Sequence, residues 1–271
     1  QNITVNDLPL ITMTTLSAVC KTAAAFTLTN GSPAGGTYSG VGVSGNMFNP
    51  SVADTGIHTI TYTFTDANGC TNKDSTTIRV NDQPTVSLST FANVCANSGT
   101  LTLSGGSPLG GTFFGNNITA GSFNPLTAGA GTHTINYTYS DGNGCSDTAS
   151  QTIEVDSVPV VTFSTLNDVC IDNGLVTLTQ GSPTGGTYLG TGVTGTSFNP
   201  MTATVGTHTL TYKFTDGNSC TDSANQNITV NDLPLITMTT LSAVCKTAAA
   251  FTLTNGSPAG GTYSGVGVSG N

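Results

Sequence analysis

The chain has 271 residues, of which only 7% are charged, and it carries a formal net charge of −9 with seven cysteines and no tryptophan. This acidic composition excludes the basic surface that nucleic-acid binding requires, and no apolar run is long enough for a membrane-spanning helix. Seven cysteines at fixed phases point to an oxidising, extracellular setting.

The chain repeats itself. Residues 1–46 recur letter for letter as 226–271, and a shift of 75 residues aligns the whole chain with itself without a gap. Cys20, Cys95, Cys170 and Cys245 fall in step, as do Cys70, Cys145 and Cys220. Phe-Asn-Pro recurs at Phe48, Phe123 and Phe198, and one histidine recurs at His58, His133 and His208. Self-similarity on this scale sets the architecture. The expected division is the last strand of a preceding module (1–5), modules over 6–82, 83–157 and 158–232, and a partial fourth module over 233–271. Repetition that stops part-way through a copy is expected of a window cut from a longer chain, and no signal peptide is visible. A 75-residue module is close to the size at which one core is only marginally stable, so support from disulfides or neighbours is expected.

In chain order, the middle copy opens with Pro84-Thr-Val86-Ser-Leu88-Ser, whose alternation marks a half-buried strand. Ile11/Met13 and Val161/Phe163 keep the same phase. A second strand follows at Thr100-Leu101-Thr102-Leu103, matched by Phe26/Leu28 and Val176/Leu178. Gly106-Ser107-Pro108 reads as a turn. Gly110-Gly111-Thr112-Phe113 opens a short strand with an inward aromatic, which is Tyr38 or Tyr188 in the other copies. Ser122-Phe123-Asn124-Pro125 reads as a short strand ending in an Asn-Pro turn. The longest strand, Thr132–Tyr139, places His133, Ile135, Tyr137 and Tyr139 on one face. Asp141-Gly142-Asn143-Gly144 is a hairpin signal, and Gln151–Val155 closes the module. Helical periodicity appears nowhere. The fold class expected is all-β: tandem immunoglobulin-like β-sandwich modules joined by short links, each ending at or near a proline, to form a stiff rod or filament.

The string GGTYSGVGVSGNMFNPSVADTGIHTITYTFTDANGC, and the wider pattern G-S-P-x-G-G-T-Y…F-N-P…G-x-H-T…Y…D-x-N-x-C, resemble repeats in giant secreted surface proteins of Bacteroidetes. These include gliding-motility adhesins with immunoglobulin-like or PKD-like modules. The resemblance covers the whole chain. It implies export through the type IX system and a place on the cell surface, and it carries over no catalytic residues. Asp-Ser75-Thr, Asp-Thr148-Ala, Asp-Ser157-Val and Asp-Ser223-Ala also resemble the short O-glycosylation motif of that group. This makes Ser75, Thr148, Ser157 and Ser223 candidate glycan acceptors.

The cysteines carry the sharpest chemistry. Pairing within a module would join Cys20 to Cys70, Cys95 to Cys145 and Cys170 to Cys220. However, Cys95 lies between the first two strands and Cys145 lies in the final hairpin turn, at opposite poles of a sandwich. Six residues of strand span about 20 Å, whereas a disulfide needs Cα atoms within roughly 7 Å. Pairing between neighbours, Cys20 with Cys145 and Cys95 with Cys220, is therefore preferred, and free thiols are the third alternative. Zinc is disfavoured by the lack of a C-x-x-C pair and by the distance of the histidines from the cysteines.

The histidines read as packed side chains at a sandwich corner, since no Ser-His-Asp or His-x-His spacing accompanies them. Asp66, Asp141 and Asp216, with the linkers Asn81-Asp82, Asp156-Ser157 and Asn231-Asp232, raise the question of calcium at the junctions. Calcium takes six to eight oxygens, and turn chemistry explains these residues more simply. Lys21, Lys73, Arg79, Lys213 and Lys246 do not recur at the 75-residue phase, which argues against lysine isopeptide staples. The row Thr59, Thr61, Thr63 and Thr65 reads as β-propensity on a solvated face.

These observations point to a structural and adhesive extracellular protein, not an enzyme. Its expected partners are copies of itself along or beside a fibre, and possible further partners are surface glycans or other surfaces. The alternative is an array with a glycan site on each module. That would need a recurring exposed aromatic, and Phe114 is an extra aromatic in one copy only.

Overall fold

A computed structural model describes residues 1–269. The chain divides into two compact units, Gln1–Ser157 and Val158–Asn271. In the first unit, the first module lays down β1 (Thr12–Met13), β2 (Val19–Cys20), β3 (Phe26–Thr27), β4 (Gly31–Ser32), β5 (Thr37–Ser39), β6 (Val43–Ser44) and β7 (Met47–Phe48). A one-turn helix, α1 (Pro50–Ala53), follows, and then the long strands β8 (Gly56–Thr65) and β9 (Thr71–Asn81). One sheet has the order β2-β9-β8-β5, the second has the order β3-β7-β6, and β1 pairs with β4. This is an all-β, immunoglobulin-like sandwich. The same grouping recurs around the long hairpins Gly131–Ser140/Ser146–Asp156 and, in the second unit, Gly206–Thr215/Thr221–Asn231.

Strand alternation builds the core. Along β8 and β9, Ile60, Tyr62, Ile78 and Val80 are buried while the intervening threonines face outward. Ile135, Tyr137, Ile153 and Val155 repeat the pattern in the second module, and Leu210, Tyr212, Ile228 and Val230 repeat it in the third. The facing sheet supplies Leu28 and Phe48, then Leu103 and Phe123, then Leu178 and Phe198. Each such side chain contributes about 1.5–3 kcal/mol on burial.

The buried tyrosine also organises the neighbouring turn. The Tyr62 hydroxyl accepts the Gly36 N–H at 2.6 Å and donates to the Pro33 carbonyl. Its ring lies flat on Gly31, where a Cβ would come within 2.6 Å of it. Tyr137 and Tyr212 make the same pair of bonds, with Gly111 and Pro108 and with Gly186 and Pro183. The first and last glycines of G-S-P-x-G-G are therefore the floor on which this ring sits.

Several elements depart from the sequence reading. Gly106–Ser107 is a short strand that pairs with Ser87–Leu88, so Gly-Ser-Pro is not simply a turn. The Ser-Pro bonds at Pro33, Pro108, Pro183 and Pro258 are cis. Of the strand expected at 84–89, only Ser87–Leu88 is regular, and the closing strand is longer than expected, running Ser146–Asp156. Phe-Asn-Pro does not end in a simple turn but starts a helix. Asn49 is the N-cap, with Oδ1 accepting the Ser51 N–H at 3.1 Å, and Pro50 takes the first helical position, where its missing N–H is harmless. Pro125–Ala128 and Pro200–Ala203 are the equivalents. Cys95 sits in a two-residue strand, Val94–Cys95, rather than in a loop.

Of the partial fourth module expected over 233–271, residues 270–271 lie outside the described residues. Thr237–Met238 pairs with Gly256–Ser257 as β1 pairs with β4. Among the described residues, no helix is long and apolar enough to cross a membrane.

Candidate functional site: the junction between modules

The junction within the first unit is built from the tail of the first module's long hairpin and the turn of the second module's. β2 runs parallel to the tail of β9, with Cys20 beside Asn81, and the Lys21 N–H donates to the Asn81 carbonyl at 2.9 Å. Cys20 thus stands at the pole where the chain leaves the first module. Cys145 stands at the entry pole of the second module, in the turn of its long hairpin. There the Asp141 carboxylate Oδ1 accepts the N–H groups of Asn143 and Cys145, both at 2.9 Å. These bonds, led by that from Cys145, hold the Asp141 carboxyl below its ordinary value of 3.8. The turn carboxylate therefore aims the cysteine.

Cys20 and Cys145 are joined by a disulfide, with Cα atoms 5.6 Å apart across a sequence separation of 125. Cys145 is 1% exposed. The linker is tied to the same place, because Gln83 Nε2 donates to the Ser146 carbonyl at 2.9 Å. Beside it, the Lys21 amine meets Asp54 Oδ1 at 2.7 Å. This contact raises the amine and lowers the carboxyl from their ordinary values.

The alternative pairing inside a module does not occur at Cys20 or at Cys145. Cys70 precedes the first residue of β9, whereas Cys20 pairs with its last, and eleven residues of strand span about 35 Å. Cys70, Cys170 and Cys245 are free thiols, so Cys170 is not joined to Cys220 either. Cys70 lies near the Asn6 carbonyl at 3.9 Å. In the second unit, Cys170 lies beside Asn231 as Cys20 lies beside Asn81, and Cys220 is buried in the turn made by Asp216.

The histidines share one role. Nε2 of His58, His133 and His208 bonds the carbonyl of Asp54, Gly129 and Thr204 at 2.8, 2.9 and 2.8 Å. Each of those carbonyls belongs to the C-cap residue of the preceding one-turn helix. The carboxylates of Asp66 and Asp216 receive turn N–H groups as Asp141 does. No group of three metal-binding side chains gathers among the described residues. Ser75, Thr148, Ser157 and Ser223 are all exposed. Phe114 is 45% exposed, and Ser39 and Leu189 stand at its place in the other modules.

No family model and no curated protein matches this chain. Among solved structures, a Ca2+-stabilized adhesin with which an Antarctic bacterium reaches out and binds ice is 17% identical. The match covers 82% of this chain and 72% of that one, with a TM-score of 0.35. A 1.5-MDa bacterial ice-binding adhesin is 14% identical over 84% of this chain and 99% of that one, at a TM-score of 0.30. Immunoglobulin domains 1–5 of Sidekick-1 are 13% identical over 83% of this chain and 59% of that one, at a TM-score of 0.26.

Proposed function

We propose that this chain is a segment of a long extracellular repeat protein with a structural and adhesive role, whose modules are stapled to their neighbours by disulfides. The observation that carries the reading is the Cys20–Cys145 bond, which ties the exit pole of one module to the entry hairpin of the next. Tension entering at Cys20 can cross directly to Cys145, so the residues between them are relieved of load. The 75-residue register extends the same pairing to Cys95 with Cys220. The fibre then resists extension covalently at each junction, with no need of a metal.

The organism group, the type IX route, and the glycans on Ser75, Thr148, Ser157 and Ser223 belong to the same proposal. They rest on the repeat motif and the exposed Asp-Ser/Thr sites. An array of glycan sites is less well supported, because the exposed Phe114 has no aromatic counterpart in the other modules. The test is a non-reducing peptide map of the protein released from intact cells. Joined Cys20 and Cys145 peptides in the surface fraction are expected. Recovery only from the cell interior, with both thiols free, would sink the proposal.

A further inference from the structure

The two cysteines of the first junction's disulfide stand in unequal surroundings. Cys145 is 1% exposed, whereas Cys20 is part-buried in the two-residue strand Val19–Cys20. Cys95 and Cys220 repeat the contrast, the first part-buried and the second 0% exposed. In both cases the enclosed cysteine is the one in the hairpin turn. Thiol–disulfide exchange starts when a thiolate attacks one sulfur of the bond. Its rate depends on which sulfur can be reached and on how readily the other leaves. Reach favours Cys20, so departure falls to Cys145. A Cys145 thiolate forms away from water, and burial disfavours the charged form. The Asp141 carboxylate in the same turn accepts the Cys145 N–H at 2.9 Å and is ionised at neutral pH, because that bond lowers its pKa. A like charge in the turn makes the thiolate costlier still, and so a poorer leaving group.

The fold also keeps a released Cys145 in place. Its N–H is tied to Asp141 Oδ1, and its carbonyl accepts the Asp141 N–H at 2.9 Å. Cys20 is held from the other side by its parallel pairing with Asn81 and by the bond from the Lys21 N–H to the Asn81 carbonyl. Gln83 Nε2 ties the linker to the Ser146 carbonyl at 2.9 Å. None of these bonds involves the disulfide, so they go on holding the two backbones together when the sulfurs part. A partner held this close attacks as if present at high concentration.

We propose that Cys20 Sγ is the point at which small thiols attack this staple and that Cys145 reseals it, so that monothiols leave the junction closed and dithiols open it. A monothiolate attacks Cys20 Sγ, forms a mixed disulfide there and releases the Cys145 thiolate. Cys145 then attacks Cys20 Sγ and expels the monothiolate, with nothing oxidised or reduced overall. The second thiolate of a dithiol instead attacks the dithiol's own bound sulfur and expels the Cys20 thiolate. The protein disulfide is then reduced to two thiols, and the dithiol is oxidised to a cyclic disulfide. This inference rests on the Cys20–Cys145 bond and its surroundings, and not on the adhesive role.

The test takes the intact oxidised chain and blocks its free thiols, Cys70, Cys170 and Cys245, with iodoacetamide. Reduced glutathione is added at about 0.1 mM, a level below the millimolar effective concentration of tethered partners. The reaction is quenched with acid and the adducts are mapped by mass spectrometry. Absence of joined Cys20 and Cys145 peptides before glutathione is added would overturn the stapled junction itself, and this inference with it. With the bond present, glutathione is expected on Cys20 over Cys145 by at least about 10-fold, in about one-tenth of the molecules or fewer. In guanidinium the preference should vanish and the adduct should become several-fold more abundant. Equal labelling of the two cysteines in the folded chain, or a preference for Cys145, would overturn the point of attack. Dithiothreitol at the same thiol concentration should free both cysteines, and full opening by glutathione alone would overturn the resealing. Asp141→Ala releases the Cys145 N–H and should raise the adduct share several-fold. Asp141→Asn keeps an oxygen that accepts that N–H and should stay near the parent. An unchanged share in Asp141→Ala would overturn the turn's part in holding Cys145, while the position of the adduct in the parent chain tests the attack without any substitution.

Discussion

Replacing Tyr137 with phenylalanine tests how the second module is held together. The ring is 2% exposed and sits 4.7 Å, centroid to centroid, from Phe113. Phenylalanine keeps the ring and its packing and removes only the hydroxyl oxygen. Two bonds are lost: one from the Gly111 N–H at 2.7 Å, and one to the Pro108 carbonyl. An unmade buried hydrogen bond costs about 1–3 kcal/mol. Gly111 and Pro108 are only part-buried, so water recovers some of each bond and the expected net loss is about 1–2 kcal/mol. For a domain of this size, 1 kcal/mol moves the Tm by about 4–8 °C, which gives a fall of roughly 4–16 °C in the transition of the second module by calorimetry. Tyr62→Phe and Tyr212→Phe are expected to act on their own modules by similar amounts. A Tyr137→Phe protein melting within about 1 °C of the parent would refute the assignment of this hydroxyl as the tie between the Gly-Ser-Pro segment and the core.

Three further outcomes are expected. Thr204 has φ 75 and ψ 171, a region nearly reserved for glycine, and Gly129 fills the equivalent place with φ 76. Thr204→Gly should therefore stabilise the third module by about 1 kcal/mol in chemical denaturation, and Gly129→Thr should destabilise the second. Asp141 and Asp54 are held below 3.8, by the turn N–H groups and by Lys21 respectively. A depressed folded-state value gives stability that is present above the unfolded value and lost as pH falls through the folded one. Melting temperature should thus be level above about pH 5 and drop below about pH 4, and Asp141→Asn should flatten part of that drop. Cys20→Ser opens the junction and lowers the first module's stability by about 2–4 kcal/mol, seen as a lower first transition, whereas Cys70→Ser leaves it unchanged.

Much of the fold was legible in the sequence because the repeat multiplied weak signals. One period-2 run such as Thr132–Tyr139 is ambiguous alone, but three copies in phase around a recurring D-x-N turn are not. The hairpin carboxylate at Asp141 was likewise visible in the turn chemistry. The one-turn helices were missed because four residues are too few to show a 3.6-residue period. The N-cap signal was nonetheless present, in asparagine followed at once by proline. The two-residue strands at Cys20 and Cys95 were hidden for a different reason. They are defined by parallel pairing with the far end of the module, a tertiary fact with no local pattern. The histidine's partner lies only four residues back in the chain, but the carbonyl it meets is presented by a helix end that local propensity did not announce.

The most direct test of the stapled-module account is to stretch single molecules. The subject is the chain with Cys95 and Cys220 replaced by serine, so that Cys20–Cys145 is the bond compared. With the disulfide intact, the 125-residue separation is bridged, which withholds roughly 410–450 Å of contour at 3.3–3.6 Å per residue. Fully unfolded oxidised molecules should be shorter than reduced ones by about that length. Equal contour lengths before and after reduction would contradict the account, because the bond would not then be carrying load between the modules.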